Sequence, residues 1–485
     1  MKSIKIIPFI IFCLILNSCE LSLEPYNGKD ANSLLTTPEG IQDATTGNYG
    51  FLKTLDYATF YHFITEYASD NVTLSGSTGN NFFFAYNYRH LVDMTQTNRF
   101  WRRAYEAIYG TNKIIENVEE GNSAGLDQLL GENLYLRAMM HFDLVNTFGR
   151  PYMQDNGASL GVMIRNNTQV DALPPRSTVK EVYDFIIADL LKATKLLTIN
   201  KNSSYVSKEV AYALLARVYL FKGENEKAVE YANIVINSGR YKLVDTEAYK
   251  KYFSMTNESN TETIFAIKHT AVDDLAKGSI GSMYDGTGGL GWGEMYASES
   301  YRSLLGKYPE DVRNSFYAPF YITDASGKQV LANRNGIPKY FIYKYSGQDG
   351  IQTLSSPIYI RYAEMYLIRA EANAKLGKDD QAIEDVNMIR KRAGLSGTSL
   401  YAVSDLKGKA TVLEVVLEER HIELAFECQR KFDLFRNNLP LVRDYPGYHL
   451  LSGQNSQVIL PTDPRVVYFI PQQEIILNPN LIQNP

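Results

Sequence analysis

Glu418 and His421 stand three residues apart in LEERHIEL, the spacing with which a carboxylate and an imidazole on one helix can reach one metal. A dinuclear carboxylate site needs a second such pair and further glutamates from other helices, and the sequence holds no second E-x-x-H. Glu419, Glu423 and Glu427 follow at i, i+4, i+8, beside Arg420 and Arg430. Paired carboxylates can hydrolyse glycosides. Interleaved with arginines along a helix, they read instead as ion pairs to neighbouring helices. Gly286 to Gly291 formally match G-x-G-x-x-G, but the preceding GSIGSMYD is not the hydrophobic strand a dinucleotide site requires. That stretch reads as a flexible loop. The six histidines show no H-E-x-x-H, no G-x-S-x-G elbow or Walker A loop occurs, and Cys428 has no C-x-x-C partner. These motifs support no enzyme, no metal and no cofactor.

Binding chemistry has more to work with. Rings in irregular segments can stack on the apolar faces of sugars while Asn, Asp and Arg hold hydroxyls, the logic of base stacking without a positive groove. Trp292 is the sharpest candidate, because Gly291 and Gly293 on either side let it stand free of a packed element. The same residue also suits a loop anchor tucked into the core. Tyr284, Asp285 and Tyr296 flank it in sequence. Tyr86 and Tyr88, with Asn81 and Asn87, occupy a second such segment, NNFFFAYNYRH, which also holds Phe82, Phe83 and Phe84. Trp101 falls on the apolar side of a helical pattern and reads as core.

Composition narrows the partners. The chain has 485 residues, 45 % hydrophobic and 21 % charged, so it can bury a core. A net charge of -5 excludes a strongly basic nucleic-acid binder. The 35 tyrosines need surfaces, grooves or interfaces for their hydroxyls. Lys2 and Lys5, the short apolar run from Ile6 to Leu16, and Leu16-Asn17-Ser18-Cys19 read as a signal peptide over 1–18 with a bacterial lipobox. Cys19 would carry a lipid anchor, with 19–37 as its tether. Cys13 would leave with the signal and Cys19 would be acylated, so Cys428 would remain alone and no internal disulfide would form.

The elements behind these residues are mostly helical from Pro38 onward. Apolar periodicity predicts helices over Arg99–Val118, over Leu126–Phe148 with Gly149 as its stop, and over Thr178–Leu197 with Ser177 as its N-cap. A charged amphipathic helix is predicted over Val412–Phe435. Ala211–Ala232 and Tyr366–Val386 resemble each other at an offset of 154: Ala216 meets Ala370, Gly223 meets Gly377 and Ala228 meets Ala382. Each reads as helix, glycine turn, helix, the unit of tetratricopeptide repeats without their tandem spacing. Residues 71–98 and 251–358 lose the helical period, and 437–485 read as Pro-rich loops. Irregular stretches of that length are more often functional than structural. The expectation is a mainly α fold, a tetratricopeptide-like helix-pair superhelix carrying a loop-rich binding face, formed by 38–485 as one domain.

Nearly the whole chain then resembles the SusD/RagB family of outer-membrane nutrient-binding lipoproteins. The resemblance is carried, in order, by WRRAYEAIYGTNKIIENV from Trp101, ENLYLRAMMHFDLVNTFGRPY from Glu132 and RSTVKEVYDFIIADLLKATKLL from Arg176. KEVAYALLARVYLFKGENEKAVEYANIVINSGRYKL from Lys208 and NTETIFAIKH from Asn260 follow. The most specific block is YIRYAEMYLIRAEANAKLGKDDQAIEDVNMIRKRAGL from Tyr359, before LEERHIELAFECQRKFDLFR from Leu417 and YFIPQQEIILNPNLIQNP from Tyr468. The resemblance implies a tetratricopeptide-like scaffold and a SusC-like TonB-dependent barrel as partner, over which the protein sits as a lid and to which it hands oligosaccharides. It implies binding loops within 71–98 and 272–345, and Glu418, Arg420, Glu423 and Arg430 as scaffold. The expected function is non-catalytic glycan binding at the cell-surface side of the outer membrane. The alternatives are a peptide or other nutrient ligand on the same architecture, a helical scaffold with no nutrient, and a glycoside hydrolase.

Overall fold

The computed structural model describes residues 34–76, 82–450 and 453–485. Cys19, the signal-peptide stretch and Asn81 lie outside the described residues. Among the described residues no helix is long and apolar enough to cross a membrane.

Helices begin where local chemistry satisfies their free amides. Thr37 accepts from Gly40 N at the head of Pro38–Leu52, with Pro38 at the first helical position. Ser123 caps Ala124–Phe148 by accepting from Leu126 N at 3.2 Å. Val179–Leu196 is capped by Thr178 and not by Ser177: Thr178 and Glu181 exchange side-chain and backbone bonds in a complete capping box. The box selects Thr178 because its partner glutamate must stand three residues on.

The helix Thr95–Asn117 packs on Ala124–Phe148, which packs in turn on Val179–Leu196, and that on Lys208–Lys222. The two related segments are helix pairs, Lys208–Lys222 with Asn225–Ile236 and Tyr362–Lys375 with Asp379–Arg392. Gly223 and Gly377 take left-handed φ of 81° and 71° at the two turns, a conformation that glycine adopts without a Cβ penalty. Asn225–Ile236 packs directly on Tyr362–Lys375, so the second pair continues the first in space. The intervening excursion is zipped at its base, where Thr263–Ala266 pairs antiparallel with Ile358–Arg361.

The excursion is built of short two-stranded antiparallel ribbons and single helical turns. The segment 71–98 also contains regular structure, the strand Val72–Leu74 and the helix Phe82–Tyr86, and the C-terminal stretch holds a ribbon of Leu441–Arg443 with Gln457–Ile459. Phe82, Phe83 and Phe84 are half-buried against the main core.

Val412–Phe435 is two helices, Val412–Glu423 and Arg430–Arg436. Between them Phe426 and Cys428 adopt positive φ of 66° and 61°. The buried Glu66 carboxylate accepts the backbone N–H of both, at 3.2 and 2.9 Å, and holds this strained turn from another element. Helical periodicity carries no sign of a carboxylate more than 350 residues away.

The glutamates of this region are locked in buried ion pairs. Glu423 receives Arg313, Arg361 and Arg392, Glu427 receives Arg361 and Lys344, and Glu419 receives Arg313 and Arg390. Arg420 pairs with Asp433 at 2.9 Å and Arg430 with Asp70 at 2.7 Å. Glu418 faces Lys409 and Lys307. His421 bonds Asn71 Oδ1 at 2.7 Å. Among the described residues no group of His, Cys, Asp and Glu is arranged to hold a metal ion.

Candidate functional site

The loop carrying Trp292 is closed by one carbonyl. Ser279 caps the short helix Ile280–Tyr284, and the Ser282 oxygen accepts both Trp292 N at 2.5 Å and Gly293 N at 3.0 Å. A Cβ at Gly291 would collide with the Asp285 carbonyl oxygen, and one at Gly293, where φ is +52°, would lie 2.7 Å from Gly286 Cα. Both neighbours of Trp292 must therefore be glycine. Trp292 projects from this closure 54 % exposed, with Leu290, two residues earlier, 57 % exposed. Its Nε1 donates to the Lys277 carbonyl at 3.1 Å, and the Lys277 ammonium lies over the ring, 4.9 Å from its centre. Of the two sequence readings of Trp292, the exposed plate is the one the fold adopts.

The other described candidates sit elsewhere. Tyr86, Tyr88, Tyr284 and Tyr296 have no exposed surface, and Asn87 and Asp285 are nearly as buried. Each is consumed by structure. Tyr284 OH meets His62 Nε2 at 2.6 Å. Tyr86 OH meets His449 Nδ1 at 2.6 Å, with the Arg443 guanidinium over its ring. Tyr88, at a φ of 57°, donates to the Ala68 carbonyl. Tyr296 packs with Ile337 and Phe341. Asp285 accepts from Thr287 N and Asn87 from Arg89 N, each stabilising its own turn. A ring without exposed surface offers no face to a sugar, so the expectation for these tyrosines is corrected. Their segments are irregular in sequence because they are short elements wedged into the core.

Other residues take their place around Trp292. Met295–Ala297 pairs antiparallel with Val72–Leu74, and Ser75 N continues the ladder to the Glu294 oxygen. Arg334, at the end of the strand Asn333–Arg334 that pairs with Ile337–Pro338, bonds Glu294 at 3.0 Å. Asn335 donates to the Ser75 carbonyl at 3.0 Å and lies over Gly76, which the exposed ring of Tyr448 also approaches. A continuous series of contacts thus runs from the Trp292 loop through Glu294, Arg334 and Asn335 to Tyr448. It offers one fixed exposed ring, a second at the far end, and planar polar groups between. Arg334 and Asn335 fall in the sequence window of expected binding loops; Tyr448 carried no signal, because nothing local ties it to Gly76 or to the Trp292 loop.

Two other features compare poorly. A larger cleft, about 850 Å³, lies between Glu299–Leu305, Val412–Glu423 and residues 444–446. Its charged walls are occupied with one another, as in Asp70–Arg430 and Glu418–Lys409, and its Tyr445 ring is buried. In the core, Cys428 Sγ lies 3.3 Å from His62 Nδ1, a spacing open to nucleophilic chemistry. Burial pushes the thiol well up and the imidazole down to about 3, so both are neutral at pH 7 and no thiolate is available.

Comparison with known proteins covers the whole chain. Residues 321–485 match the family model described as "SusD family", and residues 23–220 match one described as "Starch-binding associating with outer membrane". "SusD-like protein P2" of Formosa agariphila is 27 % identical over 526 aligned positions, covering 100 % of this chain and 99 % of that protein. A crystal structure of a SusD superfamily protein from Bacteroides thetaiotaomicron superposes with a TM-score of 0.81 at 30 % identity, over 93 % of this chain and all of that one. A putative sugar binding protein from Bacteroides vulgatus gives 0.78 at 30 %, over 92 % and 98 %.

Proposed function

The chain belongs to the SusD family, and from that premise we propose that it binds oligosaccharides at the outer membrane without catalysis and passes them to a SusC-like TonB-dependent transporter. The observation that carries the glycan reading is Trp292: a ring pinned by Ser282 and Lys277, flanked by obligatory glycines, and more than half exposed. Holding a large apolar ring in water costs free energy unless something covers it, and a preorganised plate lowers the entropy cost of covering it. Arg334, Glu294 and Asn335 supply donors and acceptors for hydroxyl pairs along the same face.

In this reading residues 1–18 leave as a signal peptide, Cys19 carries the lipid, and the tether holds the domain at the cell surface, above the barrel as its lid. The charged pairs of the larger cleft and of the Val412–Glu423 helix keep the scaffold together and do no chemistry on the ligand.

Calorimetric titration of the detergent-solubilised full chain with a panel of neutral and acidic oligosaccharides tests this. Binding of one glycan class, lost in a folded W292A variant, is the expected result. Binding of peptides and of no glycan would replace the ligand class. Binding that survives W292A would move the site.

A further inference from the structure

A second aromatic surface lies on the helix Thr95–Asn117. Trp101, Tyr105 and Tyr109 recur at i, i+4, i+8 and share one face of it. Trp101 is the floor, 1 % exposed, with the Tyr105 ring 4.9 Å away and tilted against it. Tyr105 OH donates to the Met163 carbonyl at 2.9 Å, which fixes that ring. Tyr109 is the outer wall and is 36 % exposed. The opposite wall is Phe51, at the end of Pro38–Leu52. Gly110 brings it there: a Cβ at that position would collide with Asn48 Oδ1 on the facing helix, so the two helices approach closely.

The result is a concave bowl of about 430 Å³ with apolar walls, within the ~300–1,000 Å³ range of small-molecule sites. Its rim is planar and charged. Arg102 and Glu106, 3.6 Å apart, stand in solvent at one side. Glu474, from the C-terminal helical turn Gln472–Leu477, lines the other, and the buried Trp101 indole N–H makes no hydrogen bond within the described residues. Burial raises the Glu474 carboxyl, partly offset by the Arg102 charge. Four rings border this open space, where a packed core would have closed it.

The bowl and the Trp292 loop are linked by one largely buried segment, Phe51 to Thr59. Phe51 walls the bowl; four residues on, Leu55 lies against Gly278, and Thr59 donates to the Gly278 oxygen at 3.1 Å. Gly278 follows Lys277, the residue that pins Trp292.

We propose that this bowl is a second saccharide subsite, taking an uncharged pyranose unit with its apolar face on Tyr109 and Phe51 and its hydroxyls on Glu106, Arg102 and Glu474. It rests on the glycan reading of the protein and adds a place to it. A glycan long enough to reach both rings would bind more tightly than either site alone, because the second contact is intramolecular.

The chain has two tryptophans, so W292F leaves Trp101 as the single indole reporter, and that reporter forms the floor of the bowl. Full-length W292F in detergent is titrated with glucose, galactose, mannose and xylose, and with a β-linked tetrasaccharide of each, to millimolar concentration. The expected result is a saturable change in Trp101 emission with at least one of them, weakened about tenfold or more when Y109A or E474Q is added. Far-UV circular dichroism must stay unchanged in both; E474Q preserves shape if Y109A does not fold. No saturable change with any member of the panel overturns the subsite, as does a change indifferent to both variants. Wild-type binding by calorimetry without a Trp101 response removes the bowl and leaves the Trp292 site standing. Absence of both removes the glycan reading itself.

Discussion

Lys277 holds Trp292 twice: its carbonyl accepts the indole N–H at 3.1 Å, and its ammonium sits 4.9 Å from the centre of the same ring. One residue fixes the edge of the plate and covers a face, so the ring keeps its orientation while Trp292 is 54 % exposed. The remaining surface is presented at little further entropy cost, the physical content of a preorganised platform.

W292A removes that platform and touches no core contact. We expect glycan affinity to fall by about tenfold or more, from the ~1–3 kcal/mol that stacking on one aromatic contributes, with stability changed by no more than about 0.5 kcal/mol. Calorimetry and thermal melts on the same preparation read both. A large loss of stability would show that Trp292 anchors the loop.

Gly291→Ala forces a methyl onto the Asp285 carbonyl and breaks the loop closure that presents Trp292. Affinity should fall with stability lower by roughly 1–3 kcal/mol. Gly47→Ala, on the helix Pro38–Leu52 with open space at its Cβ, should instead be neutral or stabilising by about 0.4–1 kcal/mol. Equal effects of the two would contradict the steric account.

Tyr284 separates packing from binding. Tyr284→Phe loses the hydroxyl contact to His62 and should cost about 1 kcal/mol. Tyr284→Ala should cost about 3–5 kcal/mol by opening a cavity. Neither change touches an exposed ring, so Tyr284→Phe should bind glycans as the wild type does. A selective loss of affinity would return Tyr284 to the site.

Glu423→Ala leaves Arg313, Arg361 and Arg392 facing one another without their shared carboxylate. Breaking a buried pair from one side costs about 3–5 kcal/mol, and three arginines place this variant at the upper end or prevent folding. The conservative Glu423→Gln should fold with a lowered melting temperature. A wild-type melting temperature for it would mean the charge is dispensable.

Acid should destabilise the fold. Burial holds His62, His141 and His421 at about 3, below the ordinary 6.5. The unfolded chain takes up these protons below pH 6.5 and the folded chain only near 3, so stability present above 6.5 is lost as pH falls. At pH 5 each costs roughly 2 kcal/mol. His90 and His449 at about 3, and His269 at about 4, act in the same sense, again mainly through burial. Burial raises Asp143 to about 6 and Glu66 to about 7, and also raises Asp189, Glu262, Asp385 and Glu474; these carboxyls gain as pH falls. The histidine losses, at roughly 2 kcal/mol each by pH 5, are the larger, so the melting temperature should drop between pH 7 and pH 5. A flat or rising profile over that window would contradict the burial of the histidines.

Much was legible in the linear sequence because it is local. Helix starts and stops, the glycine turns at Gly223 and Gly377 and the family blocks all arise from residues a few positions apart, where propensity and capping act. The two glycines beside Trp292 were legible for the same reason, but whether its ring stands free or tucks into the core was not. What the tertiary structure alone decided is which aromatic faces water. Tyr86, Tyr88, Tyr284 and Tyr296 have the composition of a binding loop, yet their burial depends on His449, Ala68, His62 and Phe341, most of them far along the chain. The break at Phe426–Cys428 needs Glu66, and the face around Trp292 needs Ser75, Arg334 and Tyr448. Burial is a property of where distant segments meet, and no local pattern encodes it.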